Sequence, residues 1–336
     1  MFSFTILLGA TLLAALATLV WYMIGVPGRA YRGPLPALTE DEAGLACRLA
    51  AHISAIASRP HNVRHYAELE QAARYIEREL SALGYAPSAQ VYHVHGGEVR
   101  NIEASIEPTD GARSRGTLVI GAHYDSVADA PGANDNGSGV AAAIELARLL
   151  ADLRGRAGAC IRLVLFVNEE PPYAHTPEMG SYRYAQLLAE RGERVIGMIS
   201  LETLGCFFDQ PGTQKYPAPF GLIYPDTGDF IAFVGLMSPR SRKFLHRVIR
   251  SFRKHTAFPT IGGVAPAFIP GMSWSDHWSF EQFGYPAFMI TDTAPFRYPH
   301  YHRVTDTPDK VDVERLARIT RGLERVVREM ATASDK

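Results

Sequence analysis

Cysteine and runs of like charge are scarce in this chain. Its 336 residues include three cysteines, Cys47, Cys160 and Cys206. An odd number at wide spacing excludes a disulfide framework and a zinc knuckle. The net charge is −1 and no run of Lys or Arg stands out, so nucleic-acid binding has no electrostatic support. We interpret Cys47 and Cys160 as small buried hydrophobes, and Cys206 as a thiol without a partner histidine.

Charge is absent altogether from residues 2–24. A run of this length is sufficient to cross a bilayer, which takes about 20 apolar residues. No Lys or Arg precedes it, and Trp21 and Tyr22 lie where interfacial aromatic residues are found. The pattern therefore favours an uncleaved single-pass transmembrane anchor over a cleaved signal peptide.

The anchor sets the expected domain organisation. We predict a transmembrane anchor over residues 1–25, a Gly- and Pro-rich linker over 26–38 and one large catalytic domain over 39–332. We expect that domain to lie outside the cytoplasm. Arg29 and Arg32 follow the apolar run and oppose this orientation by the positive-inside rule, so the sequence leaves the orientation open.

The catalytic domain is predicted to be α/β. From residue 117 onward, apolar strands without polar alternation are followed by amphipathic helices, a pattern typical of a mainly parallel sheet covered on both faces. The strands are expected at 117–122, 161–167, 195–201, 230–234 and 287–291. An irregular segment, 205–228, interrupts the alternation, and long segments of this kind are often functional.

The first candidate site residues follow the strand expected at 117–122. His123 and Asp125 are two positions apart, so on a strand both side chains point to the same side. We interpret His123 as a metal ligand and Asp125 as the group that orients it by accepting the second ring N–H. A surface turn would produce the same short pattern, which alone is weak.

A glycine-rich loop carries the next candidate, Asp135, directly before a helix. Asn and Asp often cap helices or fill turns, which is the ordinary explanation of such a residue. The functional interpretation makes Asp135 a carboxylate shared by two metal ions. The order of the His-x-Asp strand end and this loop is more specific than either part alone.

Three more carboxylates follow apolar strands. Glu169 and Glu170 follow the strand expected at 161–167, where adjacent carboxylates are costly unless a cation or water meets them. We assign Glu170 to the metal and Glu169 to proton transfer as general base. Glu202 ends the strand expected at 195–201 and is a further candidate ligand, although a lone Glu facing water is common.

Two histidines near the C-terminus, His300 and His302, compete for a ligand position. Asp306 is either an acceptor behind the site or the cap of the last helix, and Asp276 is most simply a helix N-cap. The full inventory suits a dinuclear site. Two divalent ions roughly 3.5–4 Å apart share one bridging ligand and need His nitrogens, several carboxylates and one free base.

These segments resemble the dizinc aminopeptidase family, which includes bacterial leucyl aminopeptidases, aminopeptidase Y and the glutamate carboxypeptidases. The matching segments are GAHYDS at 121–126, GANDNGSG at 132–139, NEE at 168–170 and YH at 301–302 with DTPD at 306–309. The resemblance extends from about residue 40 to the last helix. It implies a three-layer α/β/α sandwich with a mixed, mostly parallel central sheet.

The resemblance also implies the roles of the residues. Two Zn²⁺ ions, or other divalent ions, are expected as cofactors, one held by His123, Asp135 and Glu202, the other by Asp135, Glu170 and His302. Glu169 matches the proton shuttle of the family, and Asp125 the residue behind the first His. His302 is preferred to His300 because an aromatic residue precedes it. Glu202 departs from the family, in which Asp is commoner.

The expected function is that of a membrane-anchored aminopeptidase. It would release N-terminal residues from peptides with a free N-terminus by attack of a metal-bridging hydroxide. The aromatic residues of 205–228 are expected to wall the side-chain pocket or to pack the loop onto the core: Phe207, Phe208, Tyr216, Phe220 and Tyr224. Two alternatives stay open: a glutaminyl-cyclase-like acyltransferase with one zinc, and a non-catalytic receptor or assembly ectodomain of the same fold.

Overall fold

A computed structural model describes residues 2–95, 97–108 and 115–332 of the chain, with side chains from residue 9 onward. Its helices are α1 Phe2–Ile24, α2 Glu40–Ile56, α3 Tyr66–Ala82, α4 Ser138–Leu149, α5 Gly180–Glu190, α6 Pro239–His255, α7 His277–Gln282, α8 Ala294–Arg297 and α9 Val313–Thr332. Its strands are β1 Ser88–Val94, β2 Gly97–Ile106, β3 Thr117–His123, β4 Cys160–Phe166, β5 Val195–Glu202, β6 Ile231–Leu236, β7 Thr260–Ala265 and β8 Ala287–Thr291.

The described strands form one sheet in the order β1-β2-β4-β3-β5-β8-β6-β7. Strand β3 pairs in parallel with both β4 and β5, and β5 with β8. The pairs β1–β2, β2–β4 and β6–β8 are antiparallel. The sheet is therefore mixed with a parallel centre, which confirms the predicted fold class.

Helices cover both faces of the sheet. Alternate strand residues such as Leu118 and Ile120 pack with α2, α4, α6 and α9 in the large core cluster. Val119 and Phe166 point to the opposite face and pack with residues of α5 and α7. Strands buried on both faces lose their polar alternation, which explains the continuous apolar runs in the sequence.

Local sequence signals account for the helix ends that matter here. Thr39 caps α2 with a full capping box, because its hydroxyl accepts from the Glu42 N–H and the Glu42 carboxylate accepts from the Thr39 N–H. Ser238 caps α6 by accepting from the Ser241 N–H, and Pro239 takes the first helical position, where no N–H is needed.

Two expectations about local structure were wrong or incomplete. Cys47 is exposed on α2, contrary to expectation, whereas Cys160 is buried as expected; Cys206 is buried as well. Strand β7 was not predicted, because Gly262 and Gly263 break its β-branched run and glycine is unfavourable inside strands.

The N-terminal helix forms where the apolar run predicted it, as α1. In the part of the chain that the structure describes, however, no helix combines the length and the apolar character that a membrane span requires. The predicted transmembrane anchor therefore has no support from the structure. The end of α1 lies against β7, where the Met23 carbonyl oxygen closely approaches Gly263.

Candidate dinuclear metal centre

The carboxyl ends of three adjacent parallel strands bring the predicted residues together. Strand β3 ends at His123, β5 ends at Glu202, and Glu169 and Glu170 lie in the turn after β4, which ends at Phe166. Because β4, β3 and β5 are neighbours in the sheet, these side chains meet at one edge, where ligands gather in open α/β sheets.

The hydrogen bond of His123 selects the tautomer that a metal ligand needs. Its Nδ1 lies 3.0 Å from the backbone carbonyl oxygen of Asp125. A carbonyl only accepts, so Nδ1 carries the proton and the Nε2 lone pair faces the site. The carboxylate of Asp125 is farther from Nδ1, at 3.6 Å. The closer contact is thus made by the main-chain oxygen of Asp125, and the orienting role of its side chain stays a prediction.

The Asp125 carboxylate has a different task. Its two oxygens accept the backbone N–H groups of Glu169 and Glu170, each at 3.1 Å. Asp125 therefore holds the turn that presents the adjacent glutamates. This link between two strand ends has no local sequence signal.

The Asp135 loop is held by Asp306, which resolves the alternatives left for that residue. Its carboxylate accepts the backbone N–H of Asn134 at 2.9 Å and that of Asp135 at 3.1 Å. Gly132 makes the turn with a φ of 72°, and a Cβ there would come within 2.6 Å of the Asp135 carbonyl oxygen. Asp306 is therefore an acceptor behind the site, and Asp312, not Asp306, bonds the first turn of α9.

One half of the cluster joins Asp135 to Glu170 and His302. His302 Nε2 lies 3.2 Å from Asp135 Oδ2 and 3.4 Å from Glu170 Oε2. Its ring stacks on Tyr301 with centroids 3.8 Å apart. His300 contacts Thr305 and is not in the cluster, so the structure brings His302 rather than His300 to the site.

The other half joins Asp135 to His123 and Glu202. His123 Nε2 lies 3.4 Å from Asp135 Oδ1 and 3.6 Å from Glu202 Oε2. Ser275 donates to Glu202 Oε2 at 2.8 Å. The two carboxylate oxygens of Asp135 therefore face different histidines, which is the arrangement expected of a bridging ligand.

Glu169 faces the same space without belonging to either half. Its Oε2 is 3.9 Å from His123 Nε2. Burial raises the pKa of Glu169 well above its usual value; the nearby His123 lowers it, while the Glu202 and Glu170 carboxylates raise it. A carboxyl group with a raised pKa is suited to taking up and returning a proton.

Without bound cations, protons neutralise part of the negative charge of the clustered carboxylates. Burial raises the pKa of Glu170 to about 7. Burial lowers the pKa of His302, but the carboxylates of Asp135 and Glu170 outweigh it and bring the pKa to about 10. Divalent cations would displace these protons, since bound carboxylates are ionised and bound histidines neutral.

The donor set fits divalent cations such as zinc. His123 Nε2, Asp135 Oδ2 and Glu170 Oε1 are buried and have no hydrogen-bond partner among the described residues. These three residues each offer a ligand atom, and those atoms lie within 4.8 Å of one another. Buried polar atoms without partners are rare and costly, and imidazole nitrogen with carboxylate oxygen is a common zinc donor set.

Left-handed backbone is concentrated at the same place. Asn168, Thr203 and His302 have φ values of 60°, 50° and 57°. Asn168 precedes Glu169 and Thr203 follows Glu202, so each conformation aims a site residue. Such conformations are unfavourable for residues other than glycine and accumulate where function requires them.

Two buried carboxylates near the site were missed or misread. Asp292 follows β8 and accepts from Thr203, from Asn134 and from the backbone N–H groups of Gly205 and Cys206. Because Asp292 follows an apolar strand, the same pattern that identified Glu202 could have identified it as well. Asp276 lies at the N-cap of α7 but makes no side-chain cap bond, and neither carboxylate oxygen has a partner in the described chain.

An apolar pocket adjoins the cluster. Glu202 and Tyr301 line it on the side of the cluster, and its other lining residues include Tyr216, Phe220, Tyr224, Trp274 and Met289. Three of the five aromatic residues of 205–228 thus line it. The other two pack elsewhere, Phe207 against Phe258 and Phe208 beside Tyr298. Burial raises the pKa of the Cys206 thiol, which opposes a nucleophilic role.

A mixed sheet between helical layers, with a clustered set of metal donors at its strand ends, defines an α/β metallohydrolase. Comparison with family models gives the particular family: residues 101–327 match peptidase family M28. The chain belongs to this family of peptidases.

Sequence relatives agree with this membership. The chain is 36% identical over 273 residues to the uncharacterized protein YfbL of Escherichia coli K12, covering 79% of this chain and 81% of YfbL. It is 26% identical over 262 residues to leucine aminopeptidase 1 of Trichophyton equinum, covering 74% of this chain and 64% of that protein.

Solved structures share the fold. An aminopeptidase from Aneurinibacillus sp. strain AM-1 has a TM-score of 0.66 at 18% identity, covering 86% of this chain and 95% of that one. A zinc aminopeptidase from Bacillus subtilis has a TM-score of 0.67 at 14% identity, covering 87% and 96%. Fimbriiglobus ruber glutaminyl cyclase has a TM-score of 0.61 at 18% identity, covering 90% and 98%.

Proposed function

We propose that the protein is a dizinc aminopeptidase that releases residues from the free N-terminus of peptides. One observation carries the proposal: the two oxygens of Asp135 face two separate donor groups beside an apolar pocket that Glu202 also lines. His123 and Glu202 form the first group, and Glu170 and His302 form the second. Two cations sharing Asp135 account for both groups and for the unpaired buried atoms.

Each residue then has a defined task. His123, Asp135 and Glu202 would hold one cation, and Asp135, Glu170 and His302 the other. When bound, such a pair of cations supplies water activation and polarisation of the scissile carbonyl. Glu169 accepts the proton of the attacking water and delivers it to the leaving nitrogen. Asp125 and Asp306 keep the ligand-bearing turns in place through main-chain N–H groups.

The pocket and the charge of the cluster favour a peptide N-terminus as substrate. The lining of Tyr, Phe, Trp and Met side chains suits an apolar side chain. The surrounding carboxylates suit the ammonium group of a free N-terminus. The relatives named as leucine aminopeptidases support the same substrate class. Activity outside the cytoplasm stays a prediction of the sequence.

The test combines metal analysis with turnover. The purified full-length protein should contain two zinc ions per chain and hydrolyse aminoacyl-aminomethylcoumarin substrates, and Glu169→Gln should abolish hydrolysis while the metal content is retained. A metal-replete protein that hydrolyses none of a panel of such substrates would contradict the proposal. Loss of metal in Glu169→Gln would reverse the assignment of Glu169 and Glu170.

Mass spectrometry separates the proposal from a glutaminyl cyclase. A cyclase removes ammonia from an N-terminal glutaminyl peptide and leaves the chain length unchanged, whereas an aminopeptidase shortens the peptide. The complete set of five donor residues supports two metal ions and hydrolysis. The presence of Glu169 as a further carboxylate opposes a purely structural role, because such a role requires no proton transfer.

A further inference from the structure

One wall of the apolar pocket comes from outside the part of the chain that matches the family. Met23, in the last turn of α1, lines this pocket together with Tyr224, Gly263 and Trp274. The family match begins at residue 101. The N-terminal segment is therefore in a position to add a feature that the family pattern does not contain.

Two arginines fasten this segment to the catalytic domain. Arg242 of α6 donates from Nε to the Tyr22 carbonyl oxygen at 2.8 Å, and its guanidinium lies 4.4 Å from the centroid of the Tyr22 ring. Arg253, also of α6, donates from Nη1 to the carbonyl oxygens of Pro27 and Gly28, both at 2.9 Å. The attachment therefore holds the chain on both sides of residue 25.

The surface of β7 is shaped to receive the end of α1. A Cβ at Gly263 would lie 2.6 Å from the Met23 carbonyl oxygen and 2.9 Å from the Tyr224 hydroxyl. That hydroxyl donates to the Gly262 carbonyl oxygen at 3.0 Å. The absence of a side chain at Gly263 thus allows Met23 and Tyr224 to close over the strand.

We propose that Met23 is a specificity-determining residue, which sets the size of the N-terminal side chain that the pocket accepts. This inference rests on the proposed aminopeptidase function. Glu202 of the candidate metal site and Met23 line the same pocket, so the volume at Met23 limits the side chain that the pocket can hold beside the cluster. An unbranched thioether adapts to apolar groups of different shape, which suits leucyl and phenylalanyl side chains.

The test changes the volume at residue 23 in the full-length protein. Met23→Ala should raise the ratio of kcat/KM for phenylalanyl- over alanyl-aminomethylcoumarin about tenfold, and Met23→Trp should lower it by a similar factor, since a hydrophobic pocket discriminates by about tenfold or more per methylene. Arg242→Gln, which releases the Tyr22 carbonyl, should shift the ratio in the same direction as Met23→Ala.

Leu19→Ala is the matched control. Leu19 is on the same helix, is 46% exposed and does not line the pocket, so the ratio should stay at the wild-type value. An unchanged ratio in both Met23 variants would overturn the inference, and so would an equal change in Leu19→Ala.

A binding measurement keeps this inference separate from the proposed function. Calorimetric titration with free L-alanine and L-phenylalanine requires no turnover, and the ratio of their affinities should shift in Met23→Ala as the kinetic ratio does. Wild-type protein without hydrolysis would contradict the aminopeptidase proposal alone. Equal affinity ratios in wild type and Met23→Ala would contradict the role of Met23.

Discussion

Two buried glutamates, Glu145 on α4 and Glu170 after β4, show how similar burial leads to different roles. Glu145 on α4 has a side chain that is 2% exposed, and it accepts from Arg48 at 3.0 Å and from Arg148 at 2.7 Å. Glu170 is 5% exposed, but its Oε1 has no hydrogen-bond partner in the described chain. The first carboxylate is paired with two arginines, whereas the second has His302 at 3.4 Å and one oxygen without a partner.

The pKa values of the two glutamates move in opposite directions. Burial raises the pKa of Glu145, but hydrogen bonds from His52, Arg148 and Arg48 outweigh it and bring the pKa to about 2. Burial and the Asp135 carboxylate raise the pKa of Glu170 to about 7. The lowered pKa means that ionised Glu145 favours the folded state, whereas the raised pKa of Glu170 is typical of a carboxylate retained for function.

The largest expected effect is on turnover at the unpaired cluster. Glu169→Gln keeps the shape of the side chain but removes the proton acceptor, so kcat should fall by roughly 10²- to 10⁴-fold. Mass spectrometric metal analysis should give the wild-type zinc content. Activity within a factor of a few of wild type would show that another group moves the proton.

Asp306 combines features of Glu145 and Glu170. Both of its carboxylate oxygens accept hydrogen bonds, and it also borders the cluster. Asp306→Asn places an amide against the N–H groups of Asn134 and Asp135 and should weaken metal binding about 10- to 100-fold, as loss of outer ligand support commonly does. Competition with a zinc-sensitive dye measures this. Asp309→Asn, at an exposed carboxylate, is the control and should bind zinc as the wild type does.

Matched Glu→Gln changes test the comparison itself in metal-free protein. Glu145→Gln leaves Arg48 and Arg148 without a counter-charge and should lower the free energy of unfolding by about 1–3 kcal/mol. Glu170→Gln removes a carboxylate that is costly to ionise beside Asp135 and should leave that free energy equal or higher. Urea unfolding in the presence of EDTA measures both, and equal losses would remove the distinction between the two glutamates.

The most gradual effect is the pH dependence of stability without metal. Folded Glu170 holds its proton up to about pH 7, whereas the usual carboxyl value is 4.5, so folding binds protons between these values and stability should fall as the pH rises from about 4.5 to 7. Glu145 has the opposite sign, because its pKa is lowered to about 2. Its contribution should be present above about pH 4.5 and be lost as the pH falls toward 2.

Urea unfolding of metal-free protein across pH 2–8 checks both slopes. Each group contributes at most about 1.4 kcal/mol per pH unit. Glu170→Gln should reduce the slope of stability against pH between about pH 4.5 and 7. Glu145→Gln should reduce the slope between about pH 2 and 4.5. If the stability of the metal-free wild type rose with pH between about pH 4.5 and 7, the electrostatic description of the cluster would be contradicted.

Much of the site was predictable because strand ends are local signals. The apolar runs located β3, β4 and β5, and the polar residues that follow them gave His123, Glu170 and Glu202. The contacts that support those residues join distant segments. The N–H groups of Glu169 and Glu170 donate to Asp125, and those of the Asp135 loop donate to Asp306. No periodicity in the sequence predicts these hydrogen bonds.

The apolar run at residues 2–24 shows what composition alone could not predict. Composition correctly predicted a helix at residues 2–24, but the same apolar side chains suit a bilayer, a core or a pocket wall. Only the fold brings Met23 to Gly263 and Tyr22 to Arg242. Similarly, β7 is held by pairing with β6 in spite of its two glycines, because tertiary context outweighs local propensity.

The most direct test of the shared carboxylate is anomalous diffraction at the zinc edge from crystals of the metal-loaded protein. Two peaks roughly 3.5–4 Å apart are expected, one on each side of the Asp135 carboxylate, and both should be missing in Asp135→Ala. A single peak, or two peaks that persist when Asp135 is replaced, would contradict the account.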